Sequence, residues 1–320
     1  MWTKYYSGED LVDHIRNTSP VPNWCHVTFD KNLLNISKAI VFNMLKNDYL
    51  IERPPPRDPN QLWVYFALES PANVYLAEEN INGLFNRTMT YRLDSDYPSP
   101  YGYVTKRDSP LPENPFYSDA AFPRRKSKLI SWMVSHCETE SNREHIVQQM
   151  IRAGLKIDIF GSCGPYACNQ GQELGCYDRL GQTYKFYLSL ENSMCRDYVT
   201  EKFSNALNAN MVPIVYGSGD YEAILPSYPK PGFINVKHFK NSGALATYLL
   251  YLDKNETAYA EFFEWRQFYQ VHVRQGFSGF RKMCYELRGG LGRRGGKYDD
   301  MFKWWVKDAA CGDNWWKDWA

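Results

Sequence analysis

The chain has 320 residues, with 37 Lys plus Arg against 36 Asp plus Glu and a formal net charge of +1. That length allows two domains, each with its own core. The near-neutral balance excludes nucleic acid as the main partner, because binding a phosphate backbone needs a basic excess. No apolar run reaches membrane-spanning length, and the N-terminus has no signal-peptide core.

In chain order, Cys25 to Asn43 reads as a strand, a short helix and a second strand, with CHVTF and AIVFNML as the apolar runs. Arg53 to Gln61, RPPPRDPNQ, is a stiff surface connector. WVYFAL is a buried strand that delivers Glu69-Ser70-Pro71 at its end. Ser109 to Lys128, rich in proline and charge, reads as an interdomain linker. A second α/β domain follows, with strands near Leu129–Val134, Lys156–Phe160, Lys185–Leu190 and Val212–Tyr216 and helices between them. The helix near Arg143–Ala153 carries Ile146, Val147, Met150 and Ile151 on one face and stops at Gly154. The Trp-rich tail is expected to pack back onto the body, since tryptophan at that density seldom stays in water. The expected organisation is residues 1–108 as a first α/β domain, 109–128 as linker, 129–275 as a second and 276–320 as the tail.

The stretch Tyr184 to Lys202, YKFYLSLENSMCRDYVTEK, is the most informative. Tyr184, Phe186, Tyr187, Leu188 and Leu190 are too continuously apolar for a half-exposed strand, which implies a strand covered on both faces. Val199, Phe203, Ala206, Leu207 and Asn210 then fall near helical spacing, with Thr200 or Asp197 as cap. MVPIVYG, Met211 to Gly217, supplies the next strand and completes a βαβ unit. Ligands bind where such loops leave the strand ends. The positive helix end and Lys202 favour an anion, whereas Glu201 repels one and suits paired ribose hydroxyls, so a nucleoside diphosphate fits both. Tyr198 is placed to stack on the ligand or hydrogen-bond to it. Any one of these residues alone fits an ordinary helix start; Asn192, Ser193, Asp197, Tyr198, Glu201 and Lys202 together favour a ligand site.

The eight cysteines, Cys25, Cys137, Cys163, Cys168, Cys176, Cys195, Cys284 and Cys311, permit four disulfides in an oxidising lumen, with pairing open. A disulfide within the Gly-rich stretch GSCGPYACNQGQELGC is the first expectation. Zinc is the rival, disfavoured by the spacing and by the lack of a nearby histidine. Acceptor sequons begin at Asn17, Asn35, Asn86 and Asn255.

Leu190-Glu191-Asn192-Ser193 and Asp197-Tyr198-Val199-Thr200-Glu201-Lys202 closely resemble the signature of the α1,3-fucosyltransferases of glycosyltransferase family ten. WVYFALESP, LFNRTMTYRLDSDYPSPYG and ISWMVSHCETESNRE resemble further family segments in family order, so the resemblance spans roughly Cys25 to Arg266. It implies the GT-B arrangement of two Rossmann-like domains across a cleft, GDP-fucose as donor, and inverting transfer of L-fucose to a GlcNAc hydroxyl. Glu69, at the E-S-P position, matches the family's proposed base. Arg143 and Lys202 are implied to stabilise the departing pyrophosphate, Glu191, Asn192, Ser193 and Tyr198 to complete the donor contacts, and Glu201 to hold the ribose. Glu191 is alternatively a support for its own loop.

Asp94-Ser95-Asp96 matches the D-x-D pattern of manganese-binding glycosyltransferases. The favoured reading is turn formers that support Arg92, with no metal required and Mn²⁺ stimulation allowed. Lewis-type members carry H-H-x-D where this chain has Val41-Phe42-Asn43-Met44-Leu45. The GSCG loop and NSMCRDY resemble invertebrate and plant enzymes acting on the innermost GlcNAc of N-glycans, so that acceptor leads and antennal GlcNAc follows. Tyr65, Tyr75, Tyr101 and Tyr103 are candidates to line the sugar site. The resemblance further implies a Golgi enzyme whose N-terminal anchor lies outside this chain, which reads as the luminal catalytic portion. A carbohydrate-binding relative without catalysis is the rival of another class, and the presence of Glu69, Arg143 and Lys202 speaks against it. A retaining glycosidase is weaker, as no acid pair about 5 Å apart is identifiable.

Overall fold

The structure is a computed structural model that describes residues 15, 21–44, 58–74, 81–123, 125–168, 173–227, 230–273, 277–290, 298–312 and 319. The chain forms two compact units, neither of them contiguous in sequence. The first comprises Met1–Tyr101, Cys195–Tyr198 and Arg274–Cys311; the second comprises Gly102–Met194, Val199–Val273 and Gly312–Ala320.

The first unit is built on a three-stranded parallel sheet, β1 (Ala39–Asn43), β2 (Leu62–Ala67) and β3 (Arg87–Thr90), with β2 in the middle. Every residue of β2 is buried, as its unbroken apolar run requires. Alternate side chains point to opposite faces. Trp63, Tyr65 and Ala67 accordingly join one core with Phe42, Phe85, Tyr91 and Trp305, and Val64 and Phe66 join another with Val41, Met89, Phe277 and Phe280. CHVTF, expected as a strand, forms no strand among the described residues. Cys25 is instead bridged to Cys284, and Lys31–Ile36 follows as a 3₁₀ helix capped by the Asp30 carboxylate. Of the Trp-rich tail, residues 313–318 lie outside the described residues; within its described part, Trp305 is fully buried against Tyr65 and Tyr91.

The second unit carries a five-stranded, wholly parallel sheet. After β4 (Gly102–Lys106) its strands are β5 (Lys128–Met133), β6 (Ile157–Phe160), β7 (Tyr184–Leu190), β8 (Val212–Tyr216) and β9 (Ile234–Asn235), ordered β6-β5-β7-β8-β9. The four strands expected here all form. Helices α1 (Arg143–Arg152), α2 (Glu173–Thr183), α3 (Glu201–Asn208) and α4 (Ser242–Lys254) connect or flank them. Helix α1 ends before Gly154, whose φ of +92° is the left-handed geometry a helix stop requires. Ile151, expected on its apolar face, is 45% exposed.

Three further features differ from expectation or lie outside it. β4 pairs antiparallel with β10 (Tyr269–Val273) in a separate ribbon, and Gly102 lies so close to α3 that an added Cβ would sit 2.4 Å from the Ser204 hydroxyl. The Gly-rich stretch expected as a loop contains the start of α2. Gly181 of that helix allows a close approach to Ala209, whose carbonyl oxygen would lie 2.1 Å from a Cβ. Residues 109–128 are part of the second unit, where Phe116 and Phe122 are buried with Tyr259 and Phe263, and the first unit's long segment ends at Tyr101 rather than 108.

All eight cysteines pair, as Cys25–Cys284, Cys137–Cys163, Cys168–Cys176 and Cys195–Cys311. The Gly-rich stretch thus closes its own disulfide, and no thiolate is left to bind zinc.

Candidate active site

The strand order of the second unit reverses between β5 and β7: the chain leaves β5 for β6 on one side and returns to β7 on the other. Such a switch point splays the two following loops apart at the carboxyl edge of the sheet, which is where open α/β sheets bind ligands. The loop after β5 leads into Arg143, the first residue of α1, and the loop after β7 leads through Glu191–Ser193 to Thr200 and α3.

Glu191 is completely buried. One of its oxygens accepts from the Thr200 backbone N–H at 2.8 Å and the other from the Thr200 hydroxyl at 2.8 Å. Thr200 is the cap residue of α3, but its hydroxyl serves Glu191 rather than the helix. The Lys202 ammonium donates to the Thr200 hydroxyl at 2.7 Å and lies 3.5 Å from Glu191 and 3.4 Å from Glu201. Burial pushes the Glu191 carboxyl up, against the pull of the Lys202 ammonium and the Thr200 donors. Burial also works against the Lys202 charge, but the Glu201 and Glu191 carboxylates outweigh it and hold Lys202 above its ordinary value. The lysine is therefore a firmly charged cation at the start of a helix.

Arg143 is 3% exposed, not the solvent-facing arginine usual at a helix start. Its guanidinium donates to the Leu190 carbonyl at 2.8 Å and the His136 carbonyl at 3.0 Å, so it straddles the end of β7 and the loop after β5. Its charge opposes that of Lys202. Two cations that repel one another across a switch point form a site suited to an anion. Ser141 reinforces the crossing: its hydroxyl donates to the Glu191 carbonyl at 2.7 Å, and the Tyr216 hydroxyl donates to the Ser141 carbonyl at 2.7 Å. Asn192 is half-buried, Ser193 is fully buried, and the Glu201 side chain is 44% exposed in the first turn of α3. Ser141 and Tyr216 escape a sequence reading because their contacts join segments 50 and 75 positions apart, whereas Thr200, read from the sequence as a possible cap, bonds within its own loop to Glu191 and Lys202. The T-E-K spacing, with the hydroxyl two residues before the lysine, was the available signal for Thr200.

Glu69 belongs to the first unit, just beyond the end of β2, where Pro71 starts a short 3₁₀ turn. One of its oxygens, Oε2, accepts from the Asn73 amide at 3.3 Å and from the Tyr198 hydroxyl at 3.0 Å. Tyr198 was expected among the donor contacts. It lies in the first unit, 1% exposed, with its ring edge-on to Tyr91 and its hydroxyl donating to the Glu69 carboxylate. The expected sites thus divide between the units. Arg143, Glu191, Asn192, Ser193, Glu201 and Lys202 gather at one sheet edge, while Glu69 and Tyr198 pair in the other unit.

Asp94 and Asp96 are held by different partners. Asp94 takes two hydrogen bonds from the fully buried Arg92 guanidinium, at 2.9 and 2.6 Å, and is bridged by Arg196. Asp96 accepts from the Thr88 N–H at 2.8 Å and the Tyr298 hydroxyl at 2.7 Å. Burial raises the Asp94 carboxyl, but hydrogen bonds and charge from Arg92 and Arg196 bring it below the usual range, as expected of a support for Arg92. Of the aromatic candidates for a sugar surface, Tyr65 is fully buried and belongs to the core, and Tyr101 donates to the Leu68 carbonyl at 2.8 Å. Tyr103 is 37% exposed and stacks on His272, while Tyr75 lies outside the described residues.

Residues 1–102 match the N-terminal fucosyltransferase domain, and residues 123–304 match the C-terminal domain of glycosyltransferase family 10 (fucosyltransferase). The chain is 30% identical to the α-(1,3)-fucosyltransferase fut-6 of Caenorhabditis elegans over 97% of its own length and 80% of that protein. It is 39% identical to the 3-galactosyl-N-acetylglucosaminide 4-α-L-fucosyltransferase FUT3 of Bos taurus, over 90% of this chain and 76% of that one. With the worm α-(1,3)-fucosyltransferase fut-1 it shares 36% identity, spanning 57% of that protein. In fold it is similar to the crystal structure of an α1,3-fucosyltransferase with GDP, at a TM-score of 0.52 and 15% identity over 91% of this chain and 98% of that one, which is a GT-B protein. A signature spread over two parallel α/β sheets, matched by domain models at both ends of the chain, settles the kinship: the chain belongs to glycosyltransferase family 10, the fucosyltransferases.

Proposed function

We propose that the chain is an inverting α1,3-fucosyltransferase that moves L-fucose from GDP-fucose to the 3-hydroxyl of a GlcNAc on N-glycans, with the innermost core GlcNAc as the leading acceptor. Glu69 takes the proton of the acceptor hydroxyl, and the freed oxygen attacks the anomeric carbon of fucose as the bond from that carbon to GDP breaks on the opposite face. GDP departs carrying the negative charge, which Lys202 and Arg143 meet. Glu201 holds the ribose hydroxyls, and Asn192 orients the diphosphate. Glu191, with both oxygens turned to Thr200, acts by setting the loop that presents Lys202.

The observation that carries this reading is the pair of cations, Arg143 and Lys202, at the β5/β7 switch point. No metal is required for the step as drawn, because Asp94 and Asp96 are each engaged by protein groups, so activity is expected to persist in EDTA. The Golgi lumen suits four disulfides and the acceptor class. Antennal GlcNAc is the second acceptor, favoured by the likeness to the bovine enzyme and opposed by the buried Val41–Met44 segment, which stands where Lewis-type members carry H-H-x-D. A glycan array with GDP-fucose tests activity and acceptor together. Fucose incorporated on core-exposed N-glycans is the expected result; incorporation only on lactosamine antennae overturns the acceptor, and none on any glycan overturns the enzyme.

A further inference from the structure

We propose that the Cys137–Cys163 bridge is a reducible latch on Arg143: closed, it holds the His136 carbonyl where the guanidinium donates to it, and opened, it lets that carbonyl leave. This rests on Arg143 meeting the charge of GDP. Arg143 donates to the His136 carbonyl at 3.0 Å and to the Leu190 carbonyl at 2.8 Å, with its guanidinium 5.8 Å from the Trp132 ring. Leu190 is fixed as the last residue of β7, whereas His136 lies in a loop. An arginine held by one fixed and one mobile acceptor is placed only as well as the mobile one allows.

The loop from Val134 to Asn142 is tied at both ends. Val134 donates to the Phe160 carbonyl at 2.8 Å and accepts from the Cys163 N–H at 3.2 Å. The Ser141 N–H donates to the Asn192 carbonyl at 3.3 Å, and its hydroxyl to the Glu191 carbonyl at 2.7 Å. Between these ties, Ser135 to Glu138 make no hydrogen bond or ion pair with another described residue besides the one from Arg143. The covalent bond at Cys137 supplies the other hold, with the two Cα atoms 5.4 Å apart. Its far end is firm. Cys163 stands in the turn after β6, where Gly161 at φ +90° packs so closely that an added Cβ would lie 2.6 Å from the Val134 carbonyl oxygen.

This bridge is also the accessible one. Each of the other three has a cysteine no more than 3% exposed (Cys284, Cys176 and Cys195), whereas Cys137 is exposed and Cys163 half-buried. Access governs which disulfide a thiol attacks. A thiolate of a dithiol reagent attacks one sulfur and breaks the S–S bond. The reagent's second thiol then displaces the first, the reagent leaves as a cyclic disulfide, and its two electrons and two protons remain on Cys137 and Cys163 as thiols.

The test is calorimetric affinity for GDP in Cys137→Ser/Cys163→Ser, with Cys168→Ser/Cys176→Ser as the control bridge of the same unit. Affinity is expected to fall about 3–10-fold in the first, the usual cost of ordering one long side chain on binding, and to stay within about twofold in the control. Equal losses in both, or none in the first, would overturn the latch. In an Arg143→Ala background, removing the Cys137–Cys163 bridge should cost no further affinity; an additive loss would show that the bridge does not act through the arginine. Brief dithiothreitol treatment of the folded wild type should open this bridge first in peptide mapping and weaken GDP binding, and oxidised glutathione should restore it. Another bridge opening first would overturn the reducible latch. ¹⁵N spectra of arginine-labelled protein read the contact without nucleotide: rotation of the Arg143 guanidinium should be hindered in the wild type and faster in the double serine variant. Equal rotation in the two overturns the proposal, whereas a wild type that binds no GDP overturns the function and leaves this comparison decisive.

Discussion

Glu69 and Glu191 occupy matching places in two different sheets, each just past the carboxyl end of a parallel strand, and they are treated in opposite ways. Glu191 is fully buried, with both oxygens held within the loop by Thr200 and a cation close by. Glu69 is half-buried, with donors on one oxygen only. The comparison teaches that sheet topology brings a carboxylate to the edge where ligands bind, while the number of donors around it decides whether it serves structure or chemistry.

The sharpest way to break that contrast is Glu69→Gln. Turnover should drop by roughly 10²–10⁴-fold, the usual worth of a general base, while calorimetric affinity for GDP and the unfolding midpoint stay unchanged. Near-normal turnover would remove Glu69 as base. The mirror experiment is Glu191→Ala, which strands the buried Thr200 N–H while Lys202 keeps Thr200 and Glu201, and should cost about 1–3 kcal/mol in urea unfolding. A stable, inactive Glu191→Ala protein would instead make Glu191 a chemical group. Lys202→Ala should weaken GDP binding by about 10–100-fold, one charge-assisted contact; unchanged affinity counts against the donor site drawn here. The smallest effect extends the contrast to the sequons. Asn86 is 7% exposed and accepts from the Trp63 N–H at 3.0 Å, whereas Asn35 is exposed. Peptide mapping of protein secreted from eukaryotic cells should find a glycan on Asn35 and none on Asn86, and an occupied Asn86 would contradict its burial.

The second unit was the more legible of the two. YKFYLSL and VPIVY are continuous apolar runs with a capped helix between them, so sequence-local signals were enough to identify β7, α3 and β8. Gly154 marked the end of α1 for the same reason. The β4–β10 ribbon was not legible, because its strands are only half-buried and Val104 pairs with Val271 across most of the chain. CHVTF has the composition of a strand, but the bridge from Cys25 to Cys284 decides its course. At the site, the D-Y-x-T-E-K run indicated which residues matter but not which unit each serves. Tyr198 and Lys202 are four positions apart and end in different units, since the chain crosses from one to the other between Tyr198 and Val199. Tyr198 finds its partner 129 positions away, a distance at which no local pattern speaks.

That crossing gives the Cys195–Cys311 bridge a meaning beyond stability. Only Cys195 to Tyr198 of this stretch belongs to the first unit, a visit of four residues, and the covalent bond at its first residue moors the phenol three places on. Were the polypeptide to mature where thiols stay reduced, every functional group would be synthesised and the mooring would be missing. Competence would then depend on the redox history of folding, so enzyme recovered from bacterial cytoplasm would be the wrong material by which to judge the catalytic power encoded here.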